Sequence, residues 1–237
     1  MKKLWLDLGN TRLKYWLIDG TDIITHDARE HLKAPNELLL GLLGTLASFE
    51  PKFVGISSVL GDKINQKISE TLTQLGVPFE FAKVDANHPD LKSHYNPREL
   101  GVDRWLQMLG AVDGGKQCII GCGTALTIDV IDTGVHLGGY ILPNAYMQRH
   151  ALYAGTHQIE VKAGKFDSIG LGQTTFDAVN HGVLFGIVGA VTLIQNHHRS
   201  FATTLTGGGA RLLLPHLSDV RIDENLLLKG LQRYFQA

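Results

Sequence analysis

The chain has 237 residues, of which 44% are apolar and 19% are charged, a balance typical of folded globular proteins rather than disordered or fibrous ones. Its formal net charge of -1 supplies no general positive field, which argues against nucleic acid as a partner. The longest apolar run, residues 182–194, is too short for a membrane span and predicts a buried helix.

The cysteine content indicates a reducing compartment. Cys118 and Cys122 have no third cysteine or histidine close by in sequence to complete a zinc site, so we expect two buried free thiols. The first residues are basic, but Asp7 interrupts the apolar run that a signal peptide would need. These features predict a soluble, cytoplasmic protein with no membrane partner.

The first half of the chain alternates between strand and helix patterns. In order it predicts strands at 3–7, 12–18 and 21–26, a helix at 36–49, a strand at 53–59, a helix at 62–75 and a strand at 79–84. A polar, proline-bearing segment follows at 85–99, and a helix is expected to begin near Asp103.

The second half repeats this order. It predicts strands at 117–120, 124–131 and 135–141, helices at 144–153 and 175–197, a strand at 201–206, a helix at 210–214, a strand at 220–222 and a helix at 224–235. A repeated β-β-β-α-β-α-β unit predicts an α/β protein with two duplicated ribonuclease H-like lobes that face each other across a nucleotide cleft. The expected lobes are residues 1–115 and 116–237.

The turn between the first two strands has the composition of a phosphate site. Gly9 allows close backbone approach, Asn10 and Thr11 offer side-chain donors, and Lys14 offers an ammonium group. Asp7, at the end of the first strand, is a candidate ligand of Mg²⁺, directly or through water. The alternative is that Asp7 and Asn10 only stabilise the turn.

A second hairpin of similar chemistry follows the midpoint of the chain. Gly123 and Thr124 are expected to meet the other side of a triphosphate, while Thr127 is equally well explained by strand propensity. The glycines at 207–209 either approach the nucleotide or form a flexible turn.

Asp103 has two alternative roles. As a carboxylate at the predicted start of a helix it could cap that helix. Next to Arg104 it could instead serve as the base that accepts a proton from a substrate hydroxyl.

Five motifs follow one another along the chain: Asp7-x-Gly9-Asn10-Thr11-x-x-Lys14, Leu100-Gly101-x-Asp103-Arg104-Trp105, Gly123-Thr124-Ala125-x-Thr127-x-Asp129, His136-Leu137-Gly138-Gly139-Tyr140-Ile141-x-Pro143 and Thr206-Gly207-Gly208. Taken together, these motifs resemble the type III pantothenate kinase family, a member of the superfamily of acetate and sugar kinases, heat-shock chaperones and actin. They occur in the family's order along nearly the whole chain.

The resemblance implies an ATP-dependent kinase that phosphorylates pantothenate at its primary hydroxyl, the first step towards coenzyme A. It also implies a homodimer. Asp103 would be the proton acceptor. The implied ATP-binding residues are Asp7, Leu8, Gly9, Asn10, Thr11, Arg12, Leu13, Lys14 and Thr124. The implied pantothenate-binding residues are Tyr95, Gly101, Val102, Asp103, Arg104 and Thr175.

Three positions depart from the family pattern, one of them Asn144 after Pro143, where glycine is common. The family's pantothenate-contacting tyrosine matches His94, and Tyr95 follows one position later, so Tyr95 is the predicted contact. Family members hold a monovalent cation, K⁺ or NH₄⁺, with an aspartate where this chain has Gly121. A carboxylate ligand is therefore missing, and the cation site is either lost or rebuilt from carbonyl groups.

Two other functions fit the same residues less well. One is a kinase of the same superfamily that acts on acetate, a sugar or glycerol, which only the acceptor would distinguish. The other is a nucleotide-binding regulator without turnover, because this fold also serves chaperones and filaments. Both Asp7 and Asp103 are present, which favours an enzyme.

Overall fold

The computed structural model describes residues 1–156 and 164–236, which form two compact units. The first unit comprises residues 1–89 and 95–111 together with the C-terminal helix. The second comprises residues 90–94 and the described part of 112–225. The first unit is therefore discontinuous in sequence.

The first unit contains a five-stranded sheet in the order β3-β2-β1-β4-β5. Its strands are β1 (Lys2–Leu8), β2 (Arg12–Asp19), β3 (Asp22–Glu30), β4 (Val54–Ser58) and β5 (Phe79–Phe81). The first three strands form an antiparallel meander, and β4 and β5 run parallel to β1. Leucines of β1 pack against apolar residues of α1 (Pro35–Ser48) and α2 (Asp62–Thr73) in one core.

Helices α3 (Val102–Ala111) and α7 (Leu226–Tyr234) pack closely in the same unit. A Cβ on Gly110 would overlap the carbonyl group of Leu226, and a Cβ on Gly230 would overlap that of Leu106. The two backbones are thus in direct contact at two glycines. Arg233 Nη1 donates to the Leu109 carbonyl at 2.9 Å, which satisfies a group near the end of α3.

The second unit contains a six-stranded sheet in the order β11-β10-β7-β8-β9-β6. Its strands are β6 (Lys92–Ser93), β7 (Lys116–Cys122), β8 (Ala125–Asp132), β9 (Val135–Pro143), β10 (Ala202–Thr206) and β11 (Val220–Ile222). Its helices are α4 (Ala145–Gly155), α5 (Thr175–His197) and the short α6 (Ala210–Leu213), which leads into a 3₁₀ turn at Leu214–His216. Strands β7 to β9 form an antiparallel meander, and β10 and β11 continue parallel to β7.

Helix α5 belongs to the core of the second unit. It is the one helix in the described residues that is long and apolar enough, by length and composition alone, to cross a membrane. Its inward residues, among them Leu184, Ile187 and Val191, pack in one cluster with Ile120 and Ile128 of the sheet. The expectation of a core helix in this stretch agrees with that packing.

The two sheets share one topology, which confirms the predicted duplication. The order β3-β2-β1-β4-β5 of the first sheet matches β9-β8-β7-β10-β11 of the second, with the same strand directions. The sequence pattern missed β6, whose two residues pair with β9 in register Lys92 to Val135 and Ser93 to His136. This strand has no periodicity of its own because it is too short and too polar to show one.

Candidate active site

Asp7 lies at the centre of the first predicted phosphate site. In the sheet it is in register with Lys14 of β2 on one side and Ser57 of β4 on the other. Lys14 Nζ donates to Asp7 Oδ2 at 3.1 Å, and Ser57 Oγ donates to Asp7 Oδ1 at 3.2 Å. Asp7 is only 4% exposed, so its negative charge is held in a largely dry position by one ammonium group and one hydroxyl.

The hairpin tip after Asp7 is short and exposed. Gly9 N–H donates to the Arg12 carbonyl at 3.0 Å, which closes the turn around Asn10 and Thr11. Asn10, Thr11 and Arg12 are solvent-exposed, while Leu8 and Leu13 are buried beneath them. The side chains that could meet a phosphate thus project from a turn whose flanking leucines anchor it in the core.

Asp103 occupies the first turn of α3 and is half-buried. The helix begins at Val102, so Asp103 lies just inside it, and Asp103 Oδ1 accepts from the Arg104 N–H at 2.9 Å. Burial raises the pKa of Asp103, and the charge of Asp7 raises it further, while Arg104 acts in the opposite direction. An aspartate with a raised pKa is a stronger base than an ordinary one once it is ionised.

Arg104 and Tyr95 lie together next to this carboxylate. The Arg104 guanidinium carbon is 5.7 Å from the centre of the Tyr95 ring, which is the geometry of a cation–π contact. Arg104 is 5% exposed and Tyr95 is 36% exposed. Gly101 precedes the helix, and a Cβ there would come within 2.6 Å of Asp103 Oδ1, so any other residue would displace the carboxylate.

The second predicted hairpin joins β7 to β8 and contacts the glycine-rich turn after β10. Gly123 N–H donates to the Ala125 carbonyl at 3.0 Å, and Thr124 lies at the tip. Gly209 N–H donates to the Cys122 carbonyl at 3.0 Å. Gly207 has a φ of +88°, and a Cβ there would lie 2.7 Å from that carbonyl oxygen, so the turn requires glycine to approach the hairpin.

Gly121 has no carboxylate to offer a cation. It lies in β7, in register with Thr127 of β8 and Thr206 of β10, so the side chains flanking it across the sheet are neutral hydroxyls. No group of three or more His, Cys, Asp and Glu side chains suited to a metal occurs among residues 1–156 and 164–236. The residues at this position therefore do not reproduce a carboxylate cation site.

Thr175, the remaining predicted residue, is the first residue of α5 and is exposed. The helix is capped by Thr174, whose Oγ1 accepts from the Asp177 N–H at 3.1 Å. Tyr95, Asp103 and the Asp7–Lys14 hairpin belong to the first unit, whereas Thr124, Gly121 and Thr175 belong to the second.

A buried polar chain in the second unit was not anticipated. His136 Nε2 and Asp129 Oδ1 are 3.1 Å apart, and His136 Nδ1 and Ser93 Oγ are 3.0 Å apart. The residue types are those of a hydrolase triad, but the His136 side chain has no exposed surface, so a substrate cannot reach it. We interpret the chain as structural, because it joins β8, β9 and β6. Only the motif position of His136 and Asp129 could have indicated it.

Another buried histidine in the first unit was also missed. His31 follows β3 and is 5% exposed, and its ring contacts the backbone of the Gly9 turn. Sequence patterning gave no signal for it, because histidine is intermediate in its tendency to be buried and a lone histidine after a strand fits either environment.

Comparison with known proteins agrees with this architecture. Residues 3–197 match the family model described as type III pantothenate kinase. A type III pantothenate kinase from Psychrobacter arcticus is 57% identical over 98% of this chain and 97% of the relative. One from Acinetobacter baumannii is 46% identical over 99% of this chain and 97% of the relative.

Solved structures with low sequence identity share the fold. A protein from Campylobacter jejuni assigned to the Baf family of transcriptional activators has a TM-score of 0.65 at 18% identity, covering 98% of this chain and 97% of its own. MreB5 of Spiroplasma citri bound to ADP has a TM-score of 0.56 at 10% identity, covering 99% of this chain and 96% of its own. The chain thus has the actin-like ATPase fold. With relatives this similar over nearly its full length, the chain belongs to the type III pantothenate kinase family.

Proposed function

We propose that this protein transfers the γ-phosphoryl group of ATP to the primary hydroxyl of pantothenate, the first step of coenzyme A biosynthesis. Family membership supports the reaction. The observation in the structure that carries it is Asp103, an aspartate at a helix start whose pKa is raised by burial and by the charge of Asp7. The buried free thiols Cys118 and Cys122 fit the reducing cytoplasm, where we expect the enzyme to act.

In the proposed reaction Asp103 accepts the proton of the pantothenate hydroxyl as the oxygen attacks phosphorus. Phosphoryl transfer leaves little covalent work for the protein, so positioning and charge neutralisation account for most of the rate. The backbone N–H of Arg104 already donates to Asp103. The guanidinium group of Arg104 is therefore the group that would bind the acceptor. The Tyr95 ring on Arg104 would hold that guanidinium in place, and it supports Tyr95 rather than the exposed His94 as the substrate contact.

The first hairpin is the proposed site of the ATP phosphates. Lys14 supplies a positive charge next to the turn, and Asn10 and Thr11 supply exposed polar groups. The oxygen chemistry of the buried Asp7 carboxylate fits Mg²⁺, which would be held there directly or through water and would neutralise phosphate charge. Thr124 of the second hairpin is also a proposed ATP contact.

We further propose that turnover does not need K⁺ or NH₄⁺. The side chain that would supply the charge for such a cation is absent at Gly121, and its neighbours across the sheet are threonines. The test compares turnover in buffers with and without K⁺ at constant ionic strength. Equal rates are expected, and a strong dependence on K⁺ would mean that carbonyl groups have rebuilt the site.

The outer face of α5 supports a homodimer. Phe185 and Leu193 on this face are 62% and 57% exposed, and a Cβ on Gly186 or Gly189 between them would meet no atom within 4 Å. An apolar helix face with small residues allows a second helix to approach closely. Thr175 begins this same helix, so a dimer built on it would bring Thr175 near the partner.

Light scattering after gel filtration tests the dimer. The wild-type protein should have twice the mass of the 26.0 kDa chain. Phe185→Glu should shift it to the monomer mass. Leu40→Glu, at another exposed apolar position, on α1, should leave the mass unchanged. A monomeric wild-type protein would contradict the proposal.

A coupled assay with ATP, Mg²⁺ and pantothenate tests the main function. Asp103→Asn should lower kcat by about 10²–10⁴-fold while calorimetry shows nearly unchanged ATP binding. Acetate, sugars and glycerol serve as alternative acceptors. Turnover of one of these but not of pantothenate would identify a different kinase, and ATP binding without any turnover would indicate a regulator.

A further inference from the structure

His31 is a buried residue that makes two contacts with the proposed phosphate hairpin. Its Nε2 lies 2.9 Å from the Gly9 carbonyl oxygen, and its backbone N–H donates to the Thr11 carbonyl at 3.1 Å. Two carbonyl groups of an exposed turn are thereby tied to one buried residue. His31 lies outside the sequence motifs described above, so those motifs assign it no role in the reaction.

The contacts of the ring select one tautomer of the neutral imidazole. The backbone N–H of Lys33 donates to His31 Nδ1 at 3.2 Å, so Nδ1 carries no proton. The proton of the neutral ring must then be on Nε2, where it is donated to the Gly9 carbonyl. Both nitrogen atoms are satisfied in this single tautomer, which fixes the orientation of the ring.

This arrangement is held by an unusual backbone turn. Leu32 and Lys33 have φ values of 47° and 68°, in the left-handed region that non-glycine residues rarely adopt. The turn returns the Lys33 N–H to the ring, and the Ala34 N–H donates to the His31 carbonyl at 2.7 Å. Such conformations are unfavourable for residues other than glycine and persist where the surrounding contacts require them.

The hydrogen bond to Gly9 determines which way one peptide group of the tip faces. The C=O and N–H groups of a trans peptide point in opposite directions. Because the Gly9 carbonyl points to His31, the Asn10 N–H points away from it. Backbone N–H groups at such turns are donors to phosphate oxygens, whereas a carbonyl in the same place would repel them.

We propose that His31 is a positioning residue for ATP, which holds the Gly9–Asn10 peptide with its N–H towards the phosphates. The inference rests on the proposed function in one respect, that the nucleotide is ATP. It does not depend on which acceptor receives the phosphoryl group. Loss of the contact lets the exposed tip rotate and weakens the binding of ATP. Binding of pantothenate and the chemical step at saturating ATP are unaffected.

The test compares two amide substitutions at position 31. In His31→Gln the side-chain amide nitrogen lies close to the position of Nε2 and still donates to the Gly9 carbonyl. In His31→Asn the shorter side chain retains an acceptor for the Lys33 N–H but does not reach Gly9. We expect the Asn variant to have about a tenfold higher Kd and KM for ATP, which corresponds to one lost hydrogen bond of about 1.4 kcal/mol. The Gln variant should stay close to wild type.

His26→Leu is the control, because His26 is an exposed histidine on β3, the strand that His31 follows. It should leave both substrate constants unchanged. Equal ATP affinity in the Asn and Gln variants overturns the proposal, as does an equal rise of KM for ATP and pantothenate. Circular dichroism establishes that each variant is folded. If His31→Asn does not fold, the His31→Gln variant alone decides the test. Clearly weakened ATP binding by His31→Gln overturns the proposal, and wild-type ATP affinity of this variant upholds it.

Calorimetry with a non-hydrolysable ATP analogue separates this inference from the proposed function. A wild-type protein that binds the analogue but does not phosphorylate pantothenate contradicts the proposed function and leaves the role of His31 intact. A wild-type protein that binds no nucleotide contradicts both.

Discussion

The carboxylates of Asp7 and Asp103 interact within one unit, where the negative charge of the first raises the pKa of the second. Asp7 lies one residue before the end of the central strand β1, and Asp103 lies in the first turn of α3, which α7 contacts through the backbone at Gly110 and Gly230. Asp7 is itself neutralised in part by Lys14. The sheet and a helix pair thus bring a proposed metal ligand near the proposed base.

The raised pKa of Asp103 predicts the acid limb of the pH profile. The ionised carboxylate is the active form, so kcat/KM for pantothenate should fall as the pH drops through the pKa of Asp103. The midpoint should lie above 3.8, the ordinary aspartate value, because burial and Asp7 both favour the protonated form. The measurement is kcat/KM against pH at saturating MgATP.

Arg104→Met supplies the matched test of this assignment. The Arg104 charge lowers the pKa of Asp103, so its removal should move the midpoint to higher pH while reducing the rate. A midpoint that stays in place would assign the acid limb to another group.

Asp103→Asn should make the protein more stable at neutral pH, although it removes activity. The folded-state pKa is raised, so the folded protein binds this proton more tightly than the unfolded chain does. Stability from this group is therefore greatest at low pH and is lost as pH rises through the window from 3.8 to the raised pKa. An uncharged amide avoids that loss, and thermal unfolding at pH 7 should show a higher Tm.

Asp113→Asn should have the opposite effect on stability. Hydrogen bonds from Gly115 N–H and from Gln117 lower the pKa of Asp113, so its ionised form stabilises the fold at pH above the ordinary value. A lower Tm for this variant, set against the higher Tm of Asp103→Asn, checks the sign of both shifts. A lower Tm for Asp103→Asn would show that its carboxylate is stabilising.

Gly230→Ala should destabilise the protein by about 1–3 kcal/mol, because the added methyl group would overlap the Leu106 carbonyl at the α3–α7 contact. Gly44→Ala is the control, since Gly44 lies in α1 with no atom within 4 Å of an added Cβ. That change should stabilise by about 0.5–1 kcal/mol through helix propensity. Chemical denaturation measures both, and equal effects would contradict the close contact.

Both cysteines should be unreactive in the folded protein. Burial raises the pKa of Cys118 and of Cys122 to about 12, with the charge of Asp129 adding to the shift at Cys118. Almost no thiolate is then present at pH 8, and both cysteines are buried. A thiol reagent should titrate two groups after denaturation and none before it. Rapid reaction of the native protein would contradict the burial.

Local sequence determined the elements and their order, because strand alternation, leucine spacing and glycine turns are encoded within a few residues of each other. The hairpin at Asp7–Lys14 and the helix at Asp103 could be placed on that basis, and so could the duplication of the strand-helix order. The family resemblance added the reaction and the roles of the residues, which no periodicity contains.

Only the tertiary structure decided which distant residues meet. Ser57 reaches Asp7 because β4 pairs with β1. Helix α7 packs on α3 although the two helices lie far apart in sequence, and no local pattern records that contact.

 

The partners of α7 follow from long-range packing: its closest contacts are with α3, far from it in sequence, and glycines at the crossing allow them. His31 reaches the Gly9 turn through a left-handed turn that composition does not signal. Such contacts depend on the summed burial and hydrogen bonding of the whole unit. A local pattern therefore predicts where a strand or helix lies, and only the folded chain determines what its side chains touch.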